Sequence, residues 1–170
     1  MTNEIKIYVA DLAAYNNGYL HGVWIDATTD IEDMQDQIRK MLATSPVEGA
    51  EEYAIHDYEG FEGYSIEEYT GLENVHEVAN FINEYPEFGA GLLSHFGDLD
   101  DAKKAAEESY CGSYTSLAEY AQQLTEDTTE IPQSLQYYID YDSMAKDMEI
   151  NGDVFTIETS FQEVHIFWSC

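Results

Sequence analysis

Basic residues are scarce. The 170-residue chain holds 6 Lys and Arg against 35 Asp and Glu, a formal net charge of −29. Lys and Arg are the groups that neutralise phosphate, so this shortage excludes the ordinary electrostatic routes to DNA, RNA or anionic lipid. Cysteine is scarce too: Cys111 and Cys170 form no CxxC pair and make no disulfide or metal framework. Long apolar runs are missing, and a stretch such as Ile166-Phe167-Trp168 falls far short of a membrane span. Met1 to Val9 carries Glu4 beside Lys6 and lacks the basic start, apolar run and cleavage site of a secretory signal. A soluble, cytoplasmic protein with no nucleic-acid and no membrane partner is the expectation.

Aromatic residues, by contrast, are plentiful. An acidic chain poor in them would stay disordered, unable to bury enough apolar surface to offset the entropy of ordering. Here 14 Tyr, 7 Phe and 2 Trp point to a folded body under a dense negative surface.

Periodicity divides the chain into three parts. Ile5, Ile7 and Val9 alternate as a strand, and Leu20, Val23, Trp24 and Ile25 form another after the Asn16-Asn17-Gly18 turn. Thr29-Asp30-Ile31-Glu32 reads as a capping box for a helix with Ile31, Met34, Ile38, Met41 and Leu42 on one face, closed by Pro46. Tyr53 to Tyr58 suggests a third strand, and Gly60 and Gly63 mark a boundary. A second capping box, Ser65-Ile66-Glu67-Glu68, opens a helical block with Leu72, Val75, Ala79 and Ile82 at helical spacing. Pro86, Gly89 and Gly91 interrupt that block, Asp98 to Asp101 start a further helix, and Gly112 stands where it should stop. Ser116 to Glu119 caps the next helix, Pro132 begins another, and Asp142 starts one with Met144, Ala145 and Met148. Two strands close the chain, around Val154 to Ile157 and Val164 to Trp168. The expected fold class is α+β, as an N-terminal α+β module (1–61), a helical acidic module (62–103) and a C-terminal α+β module (104–170).

Motifs for chemistry fail one by one. His76-Glu77 begins like an HExxH zinc motif, but Asn80 holds the second His position. Asp140 to Ala145 is the nearest approach to a calcium loop, with Met144 and Ala145 where an oxygen ligand and Gly are required. Asp98, Asp100 and Asp101 suit helix capping better than a cation. His21, His56, His95 and His165 stand singly and read as packed or hydrogen-bonded residues. Cys111 follows Glu107 and Glu108, which oppose a thiolate. Gly89-Ala90-Gly91 lacks the remainder of any phosphate-binding loop. The expectation is no enzyme, no catalytic residue, no cofactor and no metal.

The charge distribution says more. Residues 41–102 carry 15 acids and no Lys or Arg, and residues 105–145 carry 8 and none. Such faces repel themselves and weaken folding. On the scale of one duplex charge per ~1.7 Å, 29 net charges match roughly 50 Å of B-DNA. Carboxylates standing where phosphates stand is one reading. A halophilic surface, a surface tuned for solubility and an acidic chaperone or scaffold for basic proteins are the others, with a carboxylate metal enzyme as a further class.

Three blocks then carry a resemblance. Ile7 to Asn16 with Gly18 to Asp26 resembles the opening signature of the ArdA antirestriction family, proteins that mobile genetic elements use to protect incoming DNA. Leu99 to Ala106 with Tyr110, Gly112, Tyr114, Ser116, Leu117 and Tyr120 is similar to its central pattern, and Tyr138 to Tyr141, Met144-Ala145 and Asp147 to Phe155 to its closing block. Lys146 is a departure where Arg is expected. The resemblance implies an elongated three-module DNA mimic that forms a homodimer. It also implies a target, the DNA-binding groove of type I restriction-modification enzymes, in their methyltransferase core. The expected mimic surface is Glu48, Glu51, Glu52, Glu62, Glu67, Glu68, Glu73, Glu77, Glu84, Glu87, Asp98, Asp100 and Asp101. The expected dimer interface is aromatic and C-terminal, around Tyr137, Tyr138, Phe155, Phe161 and Phe167.

Overall fold

Alternating apolar side chains build the first sheet in the computed structural model, which describes residues 4–169. Strand β1 (Lys6–Asp11) is central, flanked by β2 (Gly22–Asp26) and β3 (Tyr53–Glu59) in the order β2-β1-β3, both pairings antiparallel. Ile7, Val9 and Ile25 point into the core, and period two turns Tyr8 and Trp24 to the other face. Helix α2 (Ile31–Ala43) buries Met34, Ile38 and Met41. Helix α3 (Leu72–Glu84) buries six apolar residues, Val75, Val78 and Ile82 among them.

Four local expectations need correction here. Leu12–Asn16 forms a short helix, α1, where only a turn was expected, because the Asp11 carboxylate accepts from Ala14 N at 3.1 Å and caps it. Helix α2 is capped at Asp30, not Thr29, and without a side-chain cap bond. The Ser65 capping box does not open a helix. Glu68 O accepts from Ile55 N at 3.0 Å, Ile66 is buried, and the chain becomes helical only at Leu72. Gly89 and Gly91 lie inside helix α4 (Gly89–Phe96); a Cβ at Gly89 would come within 3.3 Å of Ile82 Cα, so Gly permits close packing on α3.

The second half begins with α5 (Leu99–Lys104), which runs on as a π-helical turn, Ala105–Ser109. Strand β4 (Tyr110–Tyr114) follows where a helix end was expected, with Gly112 at φ +121° where the register slips. Then come α6 (Leu117–Thr128), a 3₁₀ turn, Gln133–Leu135, and α7 (Tyr141–Ile150). A hairpin of β5 (Val154–Ser160) and β6 (Glu163–Trp168) completes an antiparallel sheet ordered β4-β6-β5. Leu117, Tyr120, Ala145, Val154 and Ile166 form its core.

The chain divides into two compact units, Met1–Ser94 and His95–Cys170. The stretch 62–103 contributes α3 to the first and α5 to the second, with the division in the last turn of α4.

Candidate functional surface

Helical period places Glu73, Glu77 and Glu84 on one stripe of α3, opposite the buried Val75, Val78 and Ile82. Glu48, Glu51 and Glu52 stand on the loop between α2 and β3, and Glu62, Glu67 and Glu68 on the connection from β3 to α3. Glu87 lies in the turn before α4. Asp98, Asp100 and Asp101 crowd the start of α5, where the Asp98 carboxylate accepts from Asp100 N at 2.8 Å. All thirteen are exposed. So are Glu107, Glu108, Glu126, Asp127 and Glu130, which the expected surface omitted although the second basic-free window, 105–145, contains them. Of the 35 Asp and Glu, Asp11 alone is buried.

Pairing hardly neutralises this surface. Among the described residues, Lys and Arg pair only with Glu4, Asp36 and Glu59: Lys6 reaches Glu59 at 3.4 Å, and Arg39 and Lys40 reach Asp36 at 3.2 and 3.3 Å. Local hydrogen bonds hold some carboxylates ionised instead. Thr115 donates its hydroxyl and its N–H to Glu119, which keeps that carboxyl below its ordinary range. The Ser143 N–H, then its hydroxyl, do the same for Asp140, which caps α7. Glu163 is held low by the Ser160 hydroxyl first, with Thr159 and His165 adding to it.

The histidines are occupied by the fold. His76 Nδ1 donates to Ala27 O at 3.2 Å, and Asn80 Nδ2 donates to His76 Nε2 at 3.0 Å, so the residue in the second zinc position occupies the first imidazole's remaining nitrogen. His21 Nε2 donates to Met41 O at 2.7 Å, and His56 lies 3.3 Å from Glu68. His95 stacks on Phe155 with centroids 4.1 Å apart. His165 is fully buried, its Nδ1 2.8 Å from Tyr110 Oη and its Nε2 3.4 Å from Glu163. Cys111 donates weakly to Ser109 O at 3.5 Å, and burial first, then the Cys111 thiol, push the neighbouring Tyr120 hydroxyl well above its ordinary value.

The five expected interface aromatics separate. Tyr137, Tyr138 and Phe161 are 88, 84 and 86 % exposed, whereas Phe155 is half-buried. Phe167 is fully buried and fills the second unit's own core, stacked on Phe155 at 5.1 Å. It offers no surface. Sequence reading missed Leu135, also exposed, whose signal was its place two residues before Tyr137-Tyr138 in a segment bounded by Pro132 and Asp140.

A family model described as antirestriction protein (ArdA) matches residues 7–163. The chain belongs to the ArdA family. ArdA proteins are inhibitors, and membership implies antirestriction activity against type I restriction enzymes. No curated protein matches the chain. Among the described residues of this ArdA protein, no helix is long and apolar enough to cross a membrane.

Proposed function

We propose that this ArdA protein inhibits type I restriction-modification enzymes by presenting carboxylates in place of DNA phosphates to the groove of the methyltransferase core. The observation that carries the reading is the exposure of all thirteen expected acids in a stretch without a single Lys or Arg from 41 to 102. A groove lined with Lys and Arg gains the same Coulomb attraction and fast steering from carboxylates as from phosphates. It needs no base readout, so one inhibitor serves against enzymes of different sequence specificity. The working form is a homodimer with Tyr137, Tyr138 and Phe161, the most exposed aromatic rings among the described residues, in the interface.

The test is displacement. The protein is added to a type I methyltransferase bound to labelled DNA, across a salt series. DNA release near one dimer per enzyme, weakening steeply with salt, is expected. Retention of the DNA, with capture of generic basic proteins instead, overturns the proposal and favours the acidic chaperone. Neutralising one of the thirteen acids should change displacement little, and removing several together should weaken it in a graded way. A sharp loss from one substitution would contradict a distributed surface.

A further inference from the structure

The outward face of the first sheet holds an aromatic platform that charge alone does not explain. Tyr8 and Trp24 are register partners on β1 and β2, with ring centroids 5.3 Å apart and planes at 47°. Gly22 makes room for the first ring: a Cβ there would stand 2.6 Å from Tyr8 Oη and 2.7 Å from Cζ, so the phenol lies across the glycine. Trp24 remains 40 % exposed. Carboxylates flank the rings, because Asp57 is the register partner of Tyr8, and Asp26 and Glu59 are those of Lys6. All three are exposed.

A cation already stands on this platform. Lys6 Nζ is 5.3 Å from the Trp24 ring centroid, 3.4 Å from Glu59 and 3.9 Å from Glu4. The ring face and its carboxylates therefore attract positive charge, and the chain's own lysine is the resident. Guanidinium is the stronger candidate for the same place, since it is planar, less tightly hydrated than ammonium and stacks on aromatic faces.

We propose that the Tyr8–Trp24 face receives an arginine side chain of the partner protein, which displaces Lys6 and lies on the rings between Asp57 and Glu59. The identity of the partner rests on the function proposed above; the chemistry of the site does not. Lys6 acts here as an internal competitor, so its removal should tighten binding by more than the loss of one positive charge elsewhere. The contact would add an aromatic, guanidinium-selective element to a surface that otherwise selects by charge.

The probe is hexa-arginine peptide, titrated at fixed ionic strength into the full chain carrying Trp168→Phe, which leaves Trp24 as the reporting tryptophan. Saturable quenching of Trp24 emission is expected, with hexa-lysine weaker at equal charge. By calorimetry, Trp24→Leu should weaken hexa-arginine binding about 3- to 10-fold with net charge unchanged, and Trp24→Tyr should retain most of it. Lys6→Met should tighten binding more than Lys146→Met, which removes the same charge from α7. Unaltered Trp24 emission, equal affinity for the two peptides, or equal effects of the two lysine substitutions would overturn the proposal. If Trp24→Leu fails to fold, the emission titration and the lysine pair still decide it. A folded Trp24→Leu protein that displaces DNA as well as the parent overturns this inference and leaves phosphate mimicry standing. A parent that cannot displace DNA, yet shows Trp24 quenched by hexa-arginine, overturns phosphate mimicry and leaves the arginine receptor.

Discussion

Residues 1–94 hold 19 acidic and 3 basic side chains and residues 95–170 hold 16 and 3, yet the interiors beneath those similar surfaces are built differently. The first unit packs Ile7, Val9 and Ile25 from the sheet with Met34, Ile38, Val75 and Val78 from helices, adds the buried rings of Phe61, Phe81 and Phe88, and buries one carboxylate, the helix-capping Asp11. The second sets an apolar cluster of Leu117, Ala145, Val154 and Ile166 beside a stack of rings, and buries an imidazole rather than a carboxylate. His95, Phe155 and Phe167 stack in sequence, Tyr110 lies 5.1 Å from Phe167, and His165 is buried against the Tyr110 hydroxyl. Charge density is thus independent of the core that supports it. Solvated carboxylates require only exposed positions, and both a helix stripe and a strand face supply these.

Core truncation should have the largest effects in both interiors. Phe167→Ala removes the stacked ring from the second unit and should cost about 3–5 kcal/mol, read by denaturant unfolding. Ile25→Ala in the first unit should cost about 2–5 kcal/mol. A loss below about 1 kcal/mol at Phe167 would mean that the ring stack does not hold the second unit together. Next comes the polar interior. His165→Leu removes the imidazole partner of the Tyr110 hydroxyl and should destabilise by about 1–3 kcal/mol, whereas a position among purely apolar neighbours would accept the leucine.

Helix caps separate the two units at smaller scale. Ser116 accepts from Glu119 N at 3.1 Å, so Ser116→Ala should cost about 1 kcal/mol. Asp30 makes no side-chain cap bond to α2, and Asp30→Ala should cost less in the same unfolding assay. The smallest effect is in pH. Glu119 is held below its ordinary value of 4.5 by Thr115, so its contribution is fully present above that value and is lost as pH falls through the lowered one. Glu119→Gln should flatten the acid limb of the stability curve, and an unchanged limb would remove Thr115–Glu119 from the account.

Legibility followed the range of the interactions. The strands around Ile7, Ile25, Ile55 and Ile166 and the buried faces of α2 and α3 were readable because period two and period 3.6 are local properties of the chain. The Ser65 box misled because its residues satisfy capping preferences, while the partner that claims Glu68 O, Ile55 N, lies thirteen residues upstream in a strand. Strand β4 was hidden because Gly112 reads as a helix stop, when its left-handed φ serves a register slip against β6. The exposure of the acids was legible one by one, since an unpaired carboxylate is costly to bury and nearly every one must face water. The Tyr8–Trp24 platform was not, because it depends on cross-strand register and on the space above Gly22.

The charge, its separation from Lys and Arg, the family blocks and the faces that local periodicity must bury all follow from the order of the residues. Which aromatics remain at the surface depends on the assembled fold, which places Tyr137, Tyr138 and Phe161 outside and Phe167 inside. The physical reason is that a carboxylate carries its preference for water wherever it stands, whereas an aromatic ring is equally suited to a core or an interface until its neighbours are in place.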